Sequence, residues 1–147
     1  MSKPNQVSQS FVMSNDAVRF ATMIMTGQGV SNEDAAIIAE CLVEADLRGV
    51  QTHGLSRLPV YVERVQRGMV KAVPNMKFEN PVAACGSLDG DNGFGFLVGR
   101  RAMQEAITMA ESCGVGVVAA RNSNHFGMAA TYLLQAVKAG YFAFVFT

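Results

Sequence analysis

The chain has 147 residues, half of them apolar and 16% charged. That is enough for one ordinary domain with a real core, and it excludes a disordered chain. Lysine plus arginine and aspartate plus glutamate number 12 each, so no overall charge draws the chain to nucleic acid or an anionic membrane, and any anion site must be local.

Taken in chain order, Met1–Ser10 is polar, lacks the apolar run of a secretory leader, and heads a tail predicted to be disordered over residues 1–13. Ser14 with Asp16 marks a helix start, with Val18, Ala21 and Met25 and the neighbouring Phe20 and Ile24 as its apolar stripe, and Gly27 and Gly29 as its stop. Ser31 followed by Asn32, Glu33 and Asp34 opens a second helix, a capping serine with acidic residues in the first turn. Ile37, Ile38, Cys41, Leu42 and Ala45 form its inner face, and it runs out near Arg48–Gly49. Val50–Gly54, VQTHG, is a short connector. A third helix begins close to Ser56, with Pro59 in its first turn, Leu58, Val62 and Val65 inward and Gly68 as its stop. Thr52, His53 and Arg57 then lie at the mouth between two helices, where a helix N-terminus favours an anion. These helices make residues 14–73 an N-terminal helical segment.

Pro74 and Pro81 read as an extended linker, and residues 74–147 as the start of an α/β domain. Val82–Leu88 reads as a strand. The DGDNG that follows, Asp89–Gly93, lacks the spaced acidic ligands of a calcium loop and reads as a tight turn. A helix over about 99–112 carries Ala102, Met103, Ala106, Ile107 and Ala110 inward and stops at Cys113–Gly114. Val115, Val117 and Val118 then mark a buried strand. Met128–Lys138 is a further helix, and Tyr141–Thr147, YFAFVFT, a final strand. The order, three helices and then strand–helix–strand–helix–strand, fits crossover units of a mixed sheet.

The richest stretch is Gly114–Gly127, GVGVVAARNSNHFG. After its valines come Arg121, Asn122, Ser123, Asn124 and His125, five consecutive hydrogen-bonding side chains that are costly beside a core unless exposed or used. The chain has two histidines, His125 and His53. Each has an arginine nearby in sequence: Arg121 before His125, and Arg48 and Arg57 around His53. An imidazole can exchange a proton near neutral pH, and a guanidinium can hold a carboxylate by paired hydrogen bonds. The bland alternative is two loop histidines bonded to backbone. Cys41, Cys85 and Cys113 are odd in number and widely spaced in apolar settings, which fits reduced core thiols and a cytoplasmic setting. No CxxC or clustered ligand set calls for a metal. No GxGxxG joins a strand to a helix, so a Rossmann reading fails, and no GxSxG supports a serine hydrolase.

ADLRGVQTHGLSRLPVYVERVQRG, DGDNGFG and GVGVVAARNSNHFGMAATY together resemble the malate/L-lactate dehydrogenase family of non-Rossmann, nicotinamide-dependent oxidoreductases, from about Ser14 to Thr147. Two departures stand out. Thr52 replaces the family's usual serine before the histidine, keeping the hydroxyl. The family's chains are a little over twice this length, so the chain looks like an N-terminal part. The resemblance implies an α/β fold, an N-terminal helical segment followed by part of a mixed-sheet, non-Rossmann nicotinamide-binding domain. It implies His125 and His53 as catalytic residues, and Arg57, Arg48 and Asn122 as contacts to a small anionic 2-hydroxy or 2-oxo acid. It further implies NAD or NADP as cofactor, held mostly beyond Thr147, and a homodimer. Two other readings share these residues: a truncated, non-catalytic remnant retaining only packing or dimerisation, and a small anion-binding module built on Arg48, Arg57 and Arg121, which the net charge favours little. On the first reading Tyr141–Thr147 lacks a segment to cover it.

Overall fold

The computed structural model describes residues 11–147, so the expected tail over Met1–Ser10 lies outside the described residues. Three helices come first: α1 (Ser14–Thr26), α2 (Asn32–Leu47) and α3 (Leu58–Gln66). Ser31 caps α2 as expected, its Oγ accepting from the Asp34 N–H at 3.1 Å. The residue before α1 is Met13, which makes no side-chain cap. Along α1 the core takes Ala17, Ala21 and Met25, while Phe20 points outward, 60% exposed. The closer approach of small residues to α2 explains the swap: alanines let two helix backbones meet where a phenylalanine would hold them apart.

Around β2 two stretches differ from the sequence reading. The supposed linker contains β1 (Lys77–Val82), antiparallel to β2 (Cys85–Gly93). Pro81 sits in β1 because β1 is an edge strand, and the pairing register slips between Glu79 and Val82. The DGDNG is no terminating turn. It is the C-terminal half of β2, with a register break against β3 and left-handed backbone at Asp91 and Asn92. Its carboxylates are engaged in the chain: Asp91 takes Lys71 Nζ and the Asn75 N–H, and Asp89 takes Arg121 and the Asn122 amide.

β2 also pairs in parallel with β3 (Val117–Ser123), giving a three-stranded mixed sheet in the order β1-β2-β3. The helix α4 (Gly95–Cys113), four residues longer at its start than expected, packs against β2 and β3. Its inner face is Phe96, Leu97, Val98, Met103, Ile107 and Met109. α5 (Ala130–Lys138) lies against α4. β3 is not the buried strand that its valines imply: Val117 is 55% exposed and only Val118 and the loop beyond Ser123 are partly covered. Nor does Tyr141–Thr147 join a ladder. It keeps the alternation of an extended chain, with Tyr141, Ala143 and Val145 against Met103, Ile107 and Tyr132, and Phe142, Phe144 and Phe146 outward. An alternating pattern sets which way side chains point, but a strand also needs a neighbouring backbone. Cys41 is buried, whereas Cys85 and Cys113 are exposed; all three are free.

The main core joins α1, α2 and α3 to Phe94, Phe96 and Leu97 at the start of α4. The helical segment is thereby fastened to the sheet where β2 ends, and the site lies at that junction.

Candidate active site

The first wall of the site is the link from α2 to α3. The chain leaves α2 and makes two tight turns, Gln51–His53 and Leu55–Arg57, before α3 begins at Leu58. Gly54 separates them and is buried. A Cβ there would lie 1.8 Å from Asp46 Oδ1, so any other residue would displace that carboxylate. Asp46 Oδ2 accepts from the Leu55 N–H at 2.8 Å, and Ser56 Oγ donates to the Gln51 carbonyl at 3.0 Å. These bonds hold His53 half-buried on a braced turn. Its Nδ1 shares a 3.0 Å hydrogen bond with Thr52 Oγ1.

The second wall is the loop after β3. Asn124 Nδ2 donates to Asn92 Oδ1 at 2.9 Å and to the Gly93 carbonyl at 3.0 Å, tying the loop to the end of β2. The Tyr132 hydroxyl donates to the Phe126 carbonyl from the far side, and the two rings stack. Gly95, the first residue of α4, lets the loop backbone pass: a Cβ on it would lie 2.2 Å from the Asn124 carbonyl oxygen and 2.5 Å from that of His125.

Between the walls the two imidazoles face one another, with ring centroids 5.3 Å apart and planes 22° from parallel. Two histidines from distant segments of the chain thus stand face to face. His125 Nδ1 shares a 2.8 Å hydrogen bond with the hydroxyl of Tyr61, which is 3% exposed and packs edge-on against Phe94 and Phe96. Burial, with the positive charge of His53, Arg57 and Arg64 adding to it, holds His125 below the ordinary imidazole range, so the neutral ring is favoured. Burial raises the Tyr61 phenol, against the opposing pull of Arg57 and Arg64.

The arginines separate. Arg57 is exposed, acts on both Tyr61 and His125, and has no carboxylate partner among the described residues. Arg48 pairs with Glu44 at 3.2 Å, and Arg121 with Asp89 at 2.8 Å. Asn122 also spends its amide on Asp89, at 3.1 Å. Tyr61 is the residue that sequence reasoning missed. It lies on the same helical stripe as Leu58, Val62 and Val65, and a buried tyrosine hydroxyl calls for a partner.

The sequence profile described as Malate/L-lactate dehydrogenase matches residues 12–147. The chain belongs to the malate/L-lactate dehydrogenase family. Among its relatives, a malate dehydrogenase of Pyrococcus abyssi is 43% identical over 121 residues, 82% of this chain and 33% of that protein. An L-sulfolactate dehydrogenase of Methanocaldococcus jannaschii is 45% identical over 104 residues, 71% of this chain and 30% of that protein. The solved malate dehydrogenase of Pyrococcus horikoshii OT3 superposes with a TM-score of 0.87 at 39% identity, covering 95% of this chain and 41% of that one. The chain thus spans about a third of the length of the relatives it matches in sequence.

Dehydrogenases of the malate/L-lactate family are nicotinamide-dependent, and the chemistry of the donors present tests how such a group fits. A dinucleotide's diphosphate is commonly held by the free N–H groups of a helix N-terminus after a strand. Here the Asn124 and His125 carbonyl oxygens crowd Gly95, the first residue of α4, and carbonyl oxygens repel an anion. That end does not fit a diphosphate. Imidazoles can exchange a proton near neutral pH, and a guanidinium can hold a carboxylate by paired hydrogen bonds.

Proposed function

We propose that this chain carries the proton-transfer and carboxylate-binding part of an oxidoreductase that transfers a hydride between NAD or NADP and a small 2-hydroxy acid of the malate or lactate kind. The observation that carries the reading is the stacked pair His53 and His125, two segments brought face to face beside Arg57. The cofactor supplies the hydride chemistry when bound. The rest is the work of these side chains. His125, favoured as the neutral imidazole, takes the proton of the substrate hydroxyl during oxidation and returns it during reduction. His53 forms the opposite wall, in position to bond the same oxygen. Arg57 receives the carboxylate. Arg48 and Asn122 enter substrate binding only by giving up Glu44 and Asp89, so Arg57 is the leading carboxylate contact. The holders of the dinucleotide are sought outside the described site, and the working unit is a homodimer in the cytoplasm. Among the described residues no helix is long and apolar enough to cross a membrane.

Titrating the 147-residue chain with malate, lactate and oxalate tests the assignment by nuclear magnetic resonance. Shifts are expected to centre on His53, Arg57 and His125, and Arg57→Gln should weaken binding about tenfold, the scale of a lost charge-assisted contact. No shift at high concentration, or shifts confined to Arg48 or Arg121, overturns it. A second reading is a remnant that packs or dimerises without turnover. Oxidation of NADH with oxaloacetate or pyruvate by the pure chain separates the two. Turnover excludes the remnant; its absence, with the acids bound, supports a chain that needs further sequence to work.

A further inference from the structure

Tyr61 is the one polar side chain of the main core that reaches into the site, and neither a substrate contact nor the packing of α3 accounts for its hydroxyl. Its ring is wedged between Phe94 and Phe96 and runs nearly parallel to His125, centroids 6.2 Å apart and planes 23° from parallel. Its rotamer is therefore fixed by packing. The 2.8 Å bond from that fixed hydroxyl goes to Nδ1 of His125, leaving Nε2 as the nitrogen available to a substrate. A histidine that exchanges a proton at Nε2 must keep the proton on Nδ1 throughout, and it can do so only if something accepts from Nδ1. A phenol can accept, and one held firmly in its protonated form does not remove that proton.

We propose that Tyr61 is the positioning residue of His125: its hydroxyl oxygen accepts from Nδ1–H, fixing the tautomer and ring orientation that leave Nε2 free to exchange the substrate proton. Tyr61 also joins the two halves of the site, because Arg57 lies against the same phenol. The wedge of Tyr61, Phe94 and Phe96 thus couples the carboxylate-binding cation to the base through the core that fastens the helical segment to the sheet. The inference rests on the proton-transfer role given to His125 above.

Long-range proton–nitrogen correlation spectra of the labelled 147-residue chain, recorded above the pH at which His125 titrates, read the tautomer directly. The expected result is a protonated Nδ1 and an unprotonated Nε2 on His125. A protonated Nε2 with a bare Nδ1 overturns the proposal, since Tyr61 would then be donating. In Tyr61→Phe the Nδ1 proton loses its acceptor. His125 should move toward the Nε2–H form, and its titration should fall by about one pH unit, because the imidazolium loses a hydrogen bond while His53, Arg57 and Arg64 still face it. Unchanged tautomer and titration in a folded Tyr61→Phe chain would reduce Tyr61 to packing. Should that variant fail to fold, the wild-type tautomer still decides. Failure of the functional reading shows separately, as absence of the malate and lactate shifts with the tautomer as expected.

Discussion

The two halves of the molecule bury themselves to very different degrees. In the helical half, α1, α2 and α3 close around Ala21, Met25, Ile38 and Leu42, all at 0% exposure, and Phe94 and Phe96 complete that core from the start of α4. In the other half a small cluster around Tyr132 and Ile107 stands alone, β3 shows most of its residues to solvent, and Phe142, Phe144 and Phe146 are each at least 74% exposed. His53 and Arg57 lie on the closed half, and His125 lies on a loop that Tyr61 of that half holds through Nδ1. A site that must hold two imidazoles in fixed register needs rigid supports, and rigidity comes from dense packing. The open half offers surface instead.

Substitutions sharpen that contrast. Leu42→Ala removes a fully buried side chain from the closed core and should lower the unfolding free energy by about 2–5 kcal/mol in urea melts. Phe144→Ser in the open half should shift it by less than about 0.5 kcal/mol, the range of surface changes. Equal effects would erase the distinction. At the junction, Gly95→Ala forces a methyl group against two backbone carbonyls, which cannot rotate aside as a side chain can. About 1–3 kcal/mol of destabilisation is expected, with loss of the His53–His125 contact in the spectra of the variant. A smaller effect belongs to the carboxylates that tie β2 to its neighbours. Asp91 N–H and the Asn122 amide hold Asp89 below the ordinary 3.8, and Lys71 and the Asn75 N–H do the same for Asp91. A folded value below the unfolded one gives stability that is full above 3.8 and drains as pH falls through the lower folded value. The urea midpoint should therefore fall as pH drops below the ordinary 3.8, and Asp91→Asn should flatten the fall.

Local punctuation was readable in the chain. Ser31 caps α2, and Gly68, Gly114 and Gly140 adopt the left-handed backbone expected after helices. The histidine pair was readable because the chain has no other histidines. What stayed hidden depended on distant partners. Pro81 argued for a linker because a sequence does not say that its strand will lie at an edge. Arg121 looked like a site cation until Asp89, 32 positions earlier, claimed it. Tyr61 passed as one more core residue because its hydroxyl partner lies 64 positions away. The same limit governs Tyr141–Thr147: the alternation was real, but among the described residues no strand pairs with it.

That segment supplies the finest test of the two halves. Phe142, Phe144 and Phe146 form one outward face, Phe142 edge-on to Phe144 and Phe144 stacked with Phe146, with no charge among residues 141–147 to oppose association. An extended apolar stretch with unpaired backbone is able to add to another chain. The inward residues Tyr141, Ala143 and Val145 hold it against α4 and α5, so replacing the outward three should leave the fold intact. Sedimentation of the wild type and of the triple variant Phe142→Ser, Phe144→Ser, Phe146→Ser over a range of concentrations gives the comparison. The wild type should associate as concentration rises and the variant should not, with unfolding midpoints alike in dilute solution. The opposite finding, a monomeric wild type with the same sedimentation as the variant, would mean that three exposed rings packed on one another are already satisfied. The open half would then be as self-contained as the closed one, in spite of its exposure.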